Sequence, residues 1–143
     1  MTPRYSVSKR FTFCYGHRLL DYDGNCAHPH GHNARVEVEL AGPLDRRGMV
    51  VDFNDLRTPL RGWVDANLDH RMILKRGDPL IAALERLGEP VHVMEGNPTA
   101  ENLARLVFEQ GRAAGLAVVR IRFWETDNNC ATYSAPEQPA QNT

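Results

Sequence analysis

Hydrophobic and polar residues alternate with a period of two near both ends of the chain, and with a helical period between them. Tyr5, Val7, Phe11 and Phe13 alternate with Ser6, Ser8, Arg10 and Thr12, the pattern of a strand with one buried face. Ala34, Val36, Val38 and Leu40 against Arg35, Glu37 and Glu39 mark a second strand more sharply, and Gly42-Pro43 ends it. A loop with Gly24, Asn25 and Pro29 joins the two. Cap-forming residues at Asp52 to Asp55 then precede Leu56, Leu60, Trp63, Val64 and Leu68 at helical spacing. Pro59 leaves two starts open for this helix: the proline in its first turn, or Thr58 as cap with Pro59 as first helical residue. Leu74 to Glu89 is ambiguous, with a short helix over Pro79 to Leu87. Thr99 predicts the N-cap of a helix striped by Leu103, Leu106 and Val107 and stopped by Gly115. A strand over Ala117 to Glu125, with Val119, Ile121 and Phe123 on one face, is followed by the Asp127-Asn128-Asn129 turn and a short strand at Ala131 to Tyr133.

The order strand, strand, helix, helix, strand, strand predicts an α+β fold: an antiparallel four-stranded sheet with two helices on one face. One domain is expected over 1–133, and the Ala-, Pro- and Gln-rich tail over 134–143 is expected to be disordered. Composition agrees, since 42% hydrophobic and 24% charged residues are globular values and 143 residues suffice for a core. Lys plus Arg (17) nearly balance Asp plus Glu (18), which gives no reason to expect a nucleic-acid or membrane partner. The N-terminus lacks a signal-peptide core, and no stretch approaches the roughly 18 apolar residues of a membrane span. Three cysteines, Cys14, Cys26 and Cys130, form no disulfide framework, so a reduced, cytoplasmic setting is expected. Cys14 and Cys130 read as packing residues.

The chemical signal is Cys26-Ala27-His28-Pro29-His30-Gly31-His32. Residues two apart on an extended backbone project from one face, so His30 and His32 share the inward parity of Ala34, Val36 and Val38. Buried imidazoles need partners, and a metal ion supplies one. A hairpin brings His17, at the end of the first strand, beside them as a third ligand. Three imidazoles with a vacant fourth position describe a catalytic zinc, whereas Cys26 as fourth ligand would describe a structural one. His28 and His92 read as bystanders.

These residues resemble a known family, the 6-pyruvoyl-tetrahydropterin and 6-carboxy-tetrahydropterin synthases. Phe13-Cys14-Tyr15-Gly16-His17-Arg18-Leu19 is similar to the family's Phe-x-x-x-His-Arg-Leu, and Cys26 to Asn33 to its Cys-x-x-x-His-Gly-His-Asn. Gly48 to Phe53, Leu68-Asp69-His70, Asn97 to Asn102 and Trp124-Glu125-Thr126 follow in the family's order. Ala100 departs from the family's usual Ser or Thr, and Gly16 from a slightly larger small residue. The resemblance implies a T-fold assembled as trimers stacked into a hexamer, with active sites between subunits. It implies Zn2+ on His17, His30 and His32, a catalytic thiolate at Cys26, and Asp69 with His70 completing a relay. It also implies a small pterin substrate anchored by Glu125 with help from Thr99 and Glu101.

Residue types leave other readings beside these. Asp69-His70 suits a helix C-terminal pair, Glu125 suits an ion pair with Arg120 or Arg122, and Thr99 is a helix cap in either case. For the reaction, Asp52-Phe53 and Asn97-Pro98-Thr99 resemble the carboxy branch, and Glu125 to Asn129 the pyruvoyl branch. The expected activity is that of a zinc-dependent lyase, 6-carboxy-5,6,7,8-tetrahydropterin synthase, converting 7,8-dihydroneopterin triphosphate with release of acetaldehyde and triphosphate for the queuosine pathway. The alternatives are the pyruvoyl synthase and a non-catalytic zinc-stabilised scaffold.

Overall fold

A computed structural model describes residues 4–136, apart from the side chains of Arg57 and Thr58. Two long strands, β1 (Tyr5–His17) and β2 (His30–Gly42), pair antiparallel along their whole length. β1 runs on to His17 because Tyr15 and His17 keep the inward parity of Phe13, and all three are buried. β5 (Val118–Thr126) pairs with β2 and β6 (Asn129–Ser134) with β5, both antiparallel. Ser134 closes β6, and the amide of Ala135 donates to the Val119 carbonyl. The rest of the expected tail, 137–143, lies outside the described residues.

Two short strands extend the expected four. β3 (Arg71–Lys75) runs parallel to β1, and β4 (Val91–Met94) parallel to β3, giving the order β4-β3-β1-β2-β5-β6. The apolar run Met72-Ile73-Leu74 carries no alternation of its own, so periodicity alone does not mark β3. Helix α1 (Phe53–Leu56) continues through a π turn (Arg57–Arg61) into α2 (Gly62–Asn67). Pro59 therefore lies inside the helical stretch and not at its start. It has no N–H for the carbonyl four residues back, and the chain widens there instead of breaking. α3 (Pro79–Arg86) and α4 (Ala100–Ala113) are both capped by side chains, Asp78 accepting from the Leu80 amide and Thr99 from that of Asn102.

The helices bury one face of the sheet. Leu60, Val64, Leu68, Leu103 and Val107 pack on Val36, Val38, Ile121 and Phe123, all at most 1% exposed. Burial of each such side chain stabilises the fold by roughly 1.5–3 kcal/mol. Two bulges correct the expected parity of β5. Arg120 pairs with Glu39 but Val118 with Leu40, so Val118, rather than Val119, enters the core. Trp124 pairs with Cys130 and Thr126 with Asn129, which leaves Glu125 as the extra residue. Bulges re-aim side chains, and this one lies beside the histidines. The even residues of β1 face away from the helices, so Cys14 is exposed, as is Cys130 on β6.

The segment after His17 is tied down at two points. Arg18 makes a two-pronged ion pair with Asp78, Nε lying 2.8 Å from Oδ2, and the Asp78 side chain is fully buried. The Asn97 side chain accepts from the Leu20 amide at 2.9 Å and donates to its carbonyl at 3.0 Å. Asp78→Ala removes a helix cap and strands the Arg18 guanidinium, so it is expected to cost about 3 kcal/mol or more in urea unfolding. The guanidinium holds the Asp78 carboxyl below the usual carboxylate range. Its contribution is then full above pH of about 4, the unfolded value, and is lost as pH falls through the lower folded value. Asp78→Asn should flatten that part of the acid-unfolding profile.

Candidate active site

The β1–β2 register sets His17 directly opposite His30, and His32 opposite Tyr15. The three rings converge. Nε2 of His17 lies 3.0 Å from Nε2 of His30 and 3.2 Å from Nε2 of His32. The outer nitrogens of two rings meet backbone carbonyls, Nδ1 of His17 at 2.7 Å from the Pro98 oxygen and Nδ1 of His30 at 2.7 Å from the His28 oxygen. A carbonyl only accepts, so Nδ1 carries the proton in both rings, and each neutral ring presents a bare lone pair at Nε2.

Two lone pairs at 3.0 Å repel unless a proton or a cation lies between them. Protonation is opposed: burial, with lesser contributions from His30 and His32, pushes His17 down to about 4 despite the Pro98 carbonyl. Burial likewise lowers His32, against the pull of the Glu125 carboxylate. A metal cation satisfies the lone pairs. Imidazole nitrogens bound to a tetrahedral ion at about 2.0–2.1 Å stand about 3.3–3.4 Å from one another, near the spacings seen here. The carbonyls behind His17 and His30 are the outer partners that fix tautomer and ring orientation in metal sites. His17, His30 and His32 can therefore hold a metal ion, and among the described residues their cluster includes no sulfur or carboxylate ligand.

His17 also lines a cavity of about 240 Å3 together with Cys26, Thr99, Glu101, Glu125 and Cys130. Cys26 sits half-buried on a single 3-10 turn (Asn25–Ala27), whose place is set by its carbonyl accepting from the Leu19 amide at 2.8 Å. The Glu125 carboxylate reaches within 4.0 Å of Nε2 of both His17 and His32. It does not pair with Arg120 or Arg122, which lie 3.1 Å from Glu39 and 3.9 Å from Glu37 respectively. Thr99 caps α4, and Glu101 stands exposed in the first turn of that helix.

Asp69 and His70 are placed elsewhere. Asp69 accepts from Nδ1 of His70 at 2.8 Å and from the Cys14 amide at 3.0 Å, while the His70 amide donates to the Cys14 carbonyl. His70 lines a separate cavity with Cys14, Gly16, Asn33, Met72 and Leu84, and Cys26 is not part of it. A larger cavity, about 790 Å3, lies along β1 near Lys9, Arg35 and Arg61 and is lined by no candidate residue. Sequence reasoning missed the Pro98 and His28 carbonyls and the clamp made by Asn97. Backbone acceptors leave no mark on residue identity. The His28 ring is a bystander as expected, but its carbonyl is not. His92 packs against Trp63 in β4 with ring centroids 5.9 Å apart.

Comparison with known proteins follows the same lines. An uncharacterised protein from Wolinella succinogenes superposes with a TM-score of 0.76 at 28% identity, covering 94% of this chain and all of that one. The Caenorhabditis elegans 6-pyruvoyl tetrahydropterin synthase shares the fold with a TM-score of 0.70 at 24% identity, over 94% of this chain and 98% of that one. The sheet with its helices on one face is thus a T-fold. A family model described as 6-pyruvoyl tetrahydropterin synthase matches residues 6–136, and the chain belongs to that family. Relatives include a Rickettsia bellii 6-carboxy-5,6,7,8-tetrahydropterin synthase, 39% identical over 68% of this chain and 72% of its own length. A Haemophilus influenzae protein of the same name is 30% identical over 90% of this chain and 98% of its own.

If the cluster holds a metal, adding zinc to metal-free protein should raise the melting temperature until roughly one ion per chain is bound. His30→Ala should abolish both the shift and the stoichiometric binding, measured by calorimetric titration and elemental analysis.

Proposed function

We propose that the protein is a zinc-dependent 6-carboxy-5,6,7,8-tetrahydropterin synthase that acts on 7,8-dihydroneopterin triphosphate and releases acetaldehyde and triphosphate. The observation that carries this reading is the convergence of the three Nε2 atoms, bare in His17 and His30, beside a cavity that also holds a thiol and a carboxylate. The names of the Rickettsia and Haemophilus relatives favour the carboxy product.

Zinc on His17, His30 and His32 would supply Lewis acidity toward the oxygens of the substrate side chain, which makes the adjacent C–H more acidic. The chain's own residues then divide the work. Glu125, half-buried and aimed by its bulge, offers two oxygens to the paired N–H donors of the pterin's aminopyrimidinone edge. Cys26 takes the side-chain proton as thiolate and returns it at the neighbouring carbon. Thr99 and Glu101 border the cavity where the rest of the pterin would lie.

A cavity of about 240 Å3 is small for a pterin triphosphate, and the Asp69–His70 pair lies outside it. Both facts support a site completed by a second copy, in a homo-oligomer such as a hexamer of stacked trimers. A relay that includes Asp69 and His70 would then pair them with Cys26 of a neighbouring copy. A setting in the cytoplasm agrees with three free thiols; among the described residues no helix is long and apolar enough to cross a membrane.

The pyruvoyl product is the second reading, favoured by the Glu125 to Asn129 segment and by the family's description. Mass spectrometry of the products of zinc-loaded protein separates the two: acetaldehyde is expected, and a pyruvoyl pterin without it would overturn the choice. Cys26→Ala should keep its zinc and lose at least about 100-fold in turnover. Loss of zinc in that variant would make Cys26 a ligand, and a wild type without pterin turnover would leave the scaffold. Glu125→Gln is expected to raise KM for the pterin by about 10- to 100-fold, the loss of a charged hydrogen-bond acceptor.

A further inference from the structure

Tyr15 is 3% exposed, beneath the metal cluster and opposite His32 in the sheet. Its ring packs against Phe13, Phe123, His17 and His32, with centroids 5.1 to 5.9 Å away. Phenylalanine would fill that space equally well. The hydroxyl is sealed from solvent and has no hydrogen-bond partner among the described residues. An orphaned buried hydroxyl costs about 1–3 kcal/mol, so its presence calls for an acceptor.

The surroundings offer few. Phe13 and Phe123 have none, and Nε2 of His17 and of His32 point into the cluster. Glu125 remains. Its carboxylate stands 4.0 Å from both of those nitrogens, and no arginine, lysine or amide donates to it among the described residues. Glu125 lies near enough for its charge to act on the phenol, and at neutral pH the phenol carries the proton it would donate.

We propose that Tyr15 is a positioning residue: in the metal-loaded protein its hydroxyl donates to one Glu125 oxygen and fixes the plane in which the carboxylate receives a pterin's paired N–H groups. Each carboxylate oxygen has two lone pairs, so a bond from Tyr15 leaves both oxygens able to accept from the ligand. The ligand part of this inference rests on the reading of Glu125 as pterin anchor; the Tyr15–Glu125 bond does not.

Tyr15→Phe removes one oxygen and keeps the ring. In zinc-loaded protein it should weaken binding of 7,8-dihydroneopterin by about tenfold and raise KM with little change in kcat. In a Glu125→Ala background, where no acceptor is left at that position, the same change should have almost no further effect. The visible absorption of the cobalt-substituted protein should be unchanged by Tyr15→Phe, because the phenol acts through Glu125 and not on the metal. Urea unfolding of the four zinc-loaded proteins of this cycle should show coupling of about tenfold in the unfolding equilibrium. Additive effects in unfolding, or a shifted cobalt spectrum, would overturn the Tyr15–Glu125 bond. Coupled unfolding with unaltered pterin affinity in Tyr15→Phe would overturn the ligand-positioning role. If the parent protein binds no pterin, the proposed function fails, and the unfolding cycle still decides whether the bond exists.

Discussion

A slip of one residue between β1 and β2 would turn His30 and His32 to the opposite face of the sheet and leave His17 facing Gly31. The three-histidine cluster therefore exists only in one register, the one that pairs His17 with His30. Two things hold that register. Phe13, Ala34, Val36 and Val38 are all buried on the helix side, so a slip would expose the core as well as the site. On the other side, Gly16 and Gly31 are cross-strand neighbours. A Cβ on Gly16 would run into the Met72 sulfur, and one on Gly31 would come within 3.2 Å of the Tyr15 carbonyl. A side chain at Gly16 would oppose the pairing of β3 with this end of β1. Core packing and the convergence of the three rings thus impose the same constraint.

The second support of the site comes from the start of α4. Pro98 has no amide hydrogen but keeps its carbonyl, and that carbonyl accepts from His17. Next to it, Asn97 clamps both backbone groups of Leu20, and Asn102 in the first turn of α4 donates to the Asn97 carbonyl at 2.8 Å. Thr99 caps the same turn. The tautomer of His17 is consequently tied to the docking of a helix some eighty residues later in the chain, with contacts at |i−j| = 81 for His17–Pro98 and 77 for Leu20–Asn97. Long-range contacts of this kind place α4 and the histidine cluster in one cooperative unit.

Much of the arrangement could be read from parity alone. The alternation of β2 extends back through His32 to His30, and the hairpin adds His17, because a period of two is a local property of the chain. What escaped such reading depends on contacts across the fold. The π turn around Pro59 is possible because the core face holds Leu56 and Leu60 on either side of it. The bulge at Glu125 is a mismatch between β5 and β6, invisible in either strand by itself. Asp69-His70 read as a capping pair or as a relay, yet both residues are held by the backbone of Cys14. Residue identity named the chemistry of that pair but gave no account of its location.

The location has its own logic. His70 adopts a left-handed backbone, φ 58°, which a residue with a side chain enters only at some cost. Its amide bond to Cys14 and its side-chain bond to Asp69 hold it there. Asp69 accepts at Nδ1, so that nitrogen carries the proton in the neutral ring, and Nε2 is left as an acceptor on a side chain that is 78% exposed. Among the described residues of one chain Nε2 of this ring has no partner. In the proposed assembly it would meet the thiol of another copy, with its tautomer already set. The strand that ends in His17 also holds this pair three residues earlier at Cys14. In the proposed assembly a shift of β1 would disturb the histidine cluster of one site and the Asp69–His70 pair offered to its neighbour together, which would couple adjacent sites through a single strand.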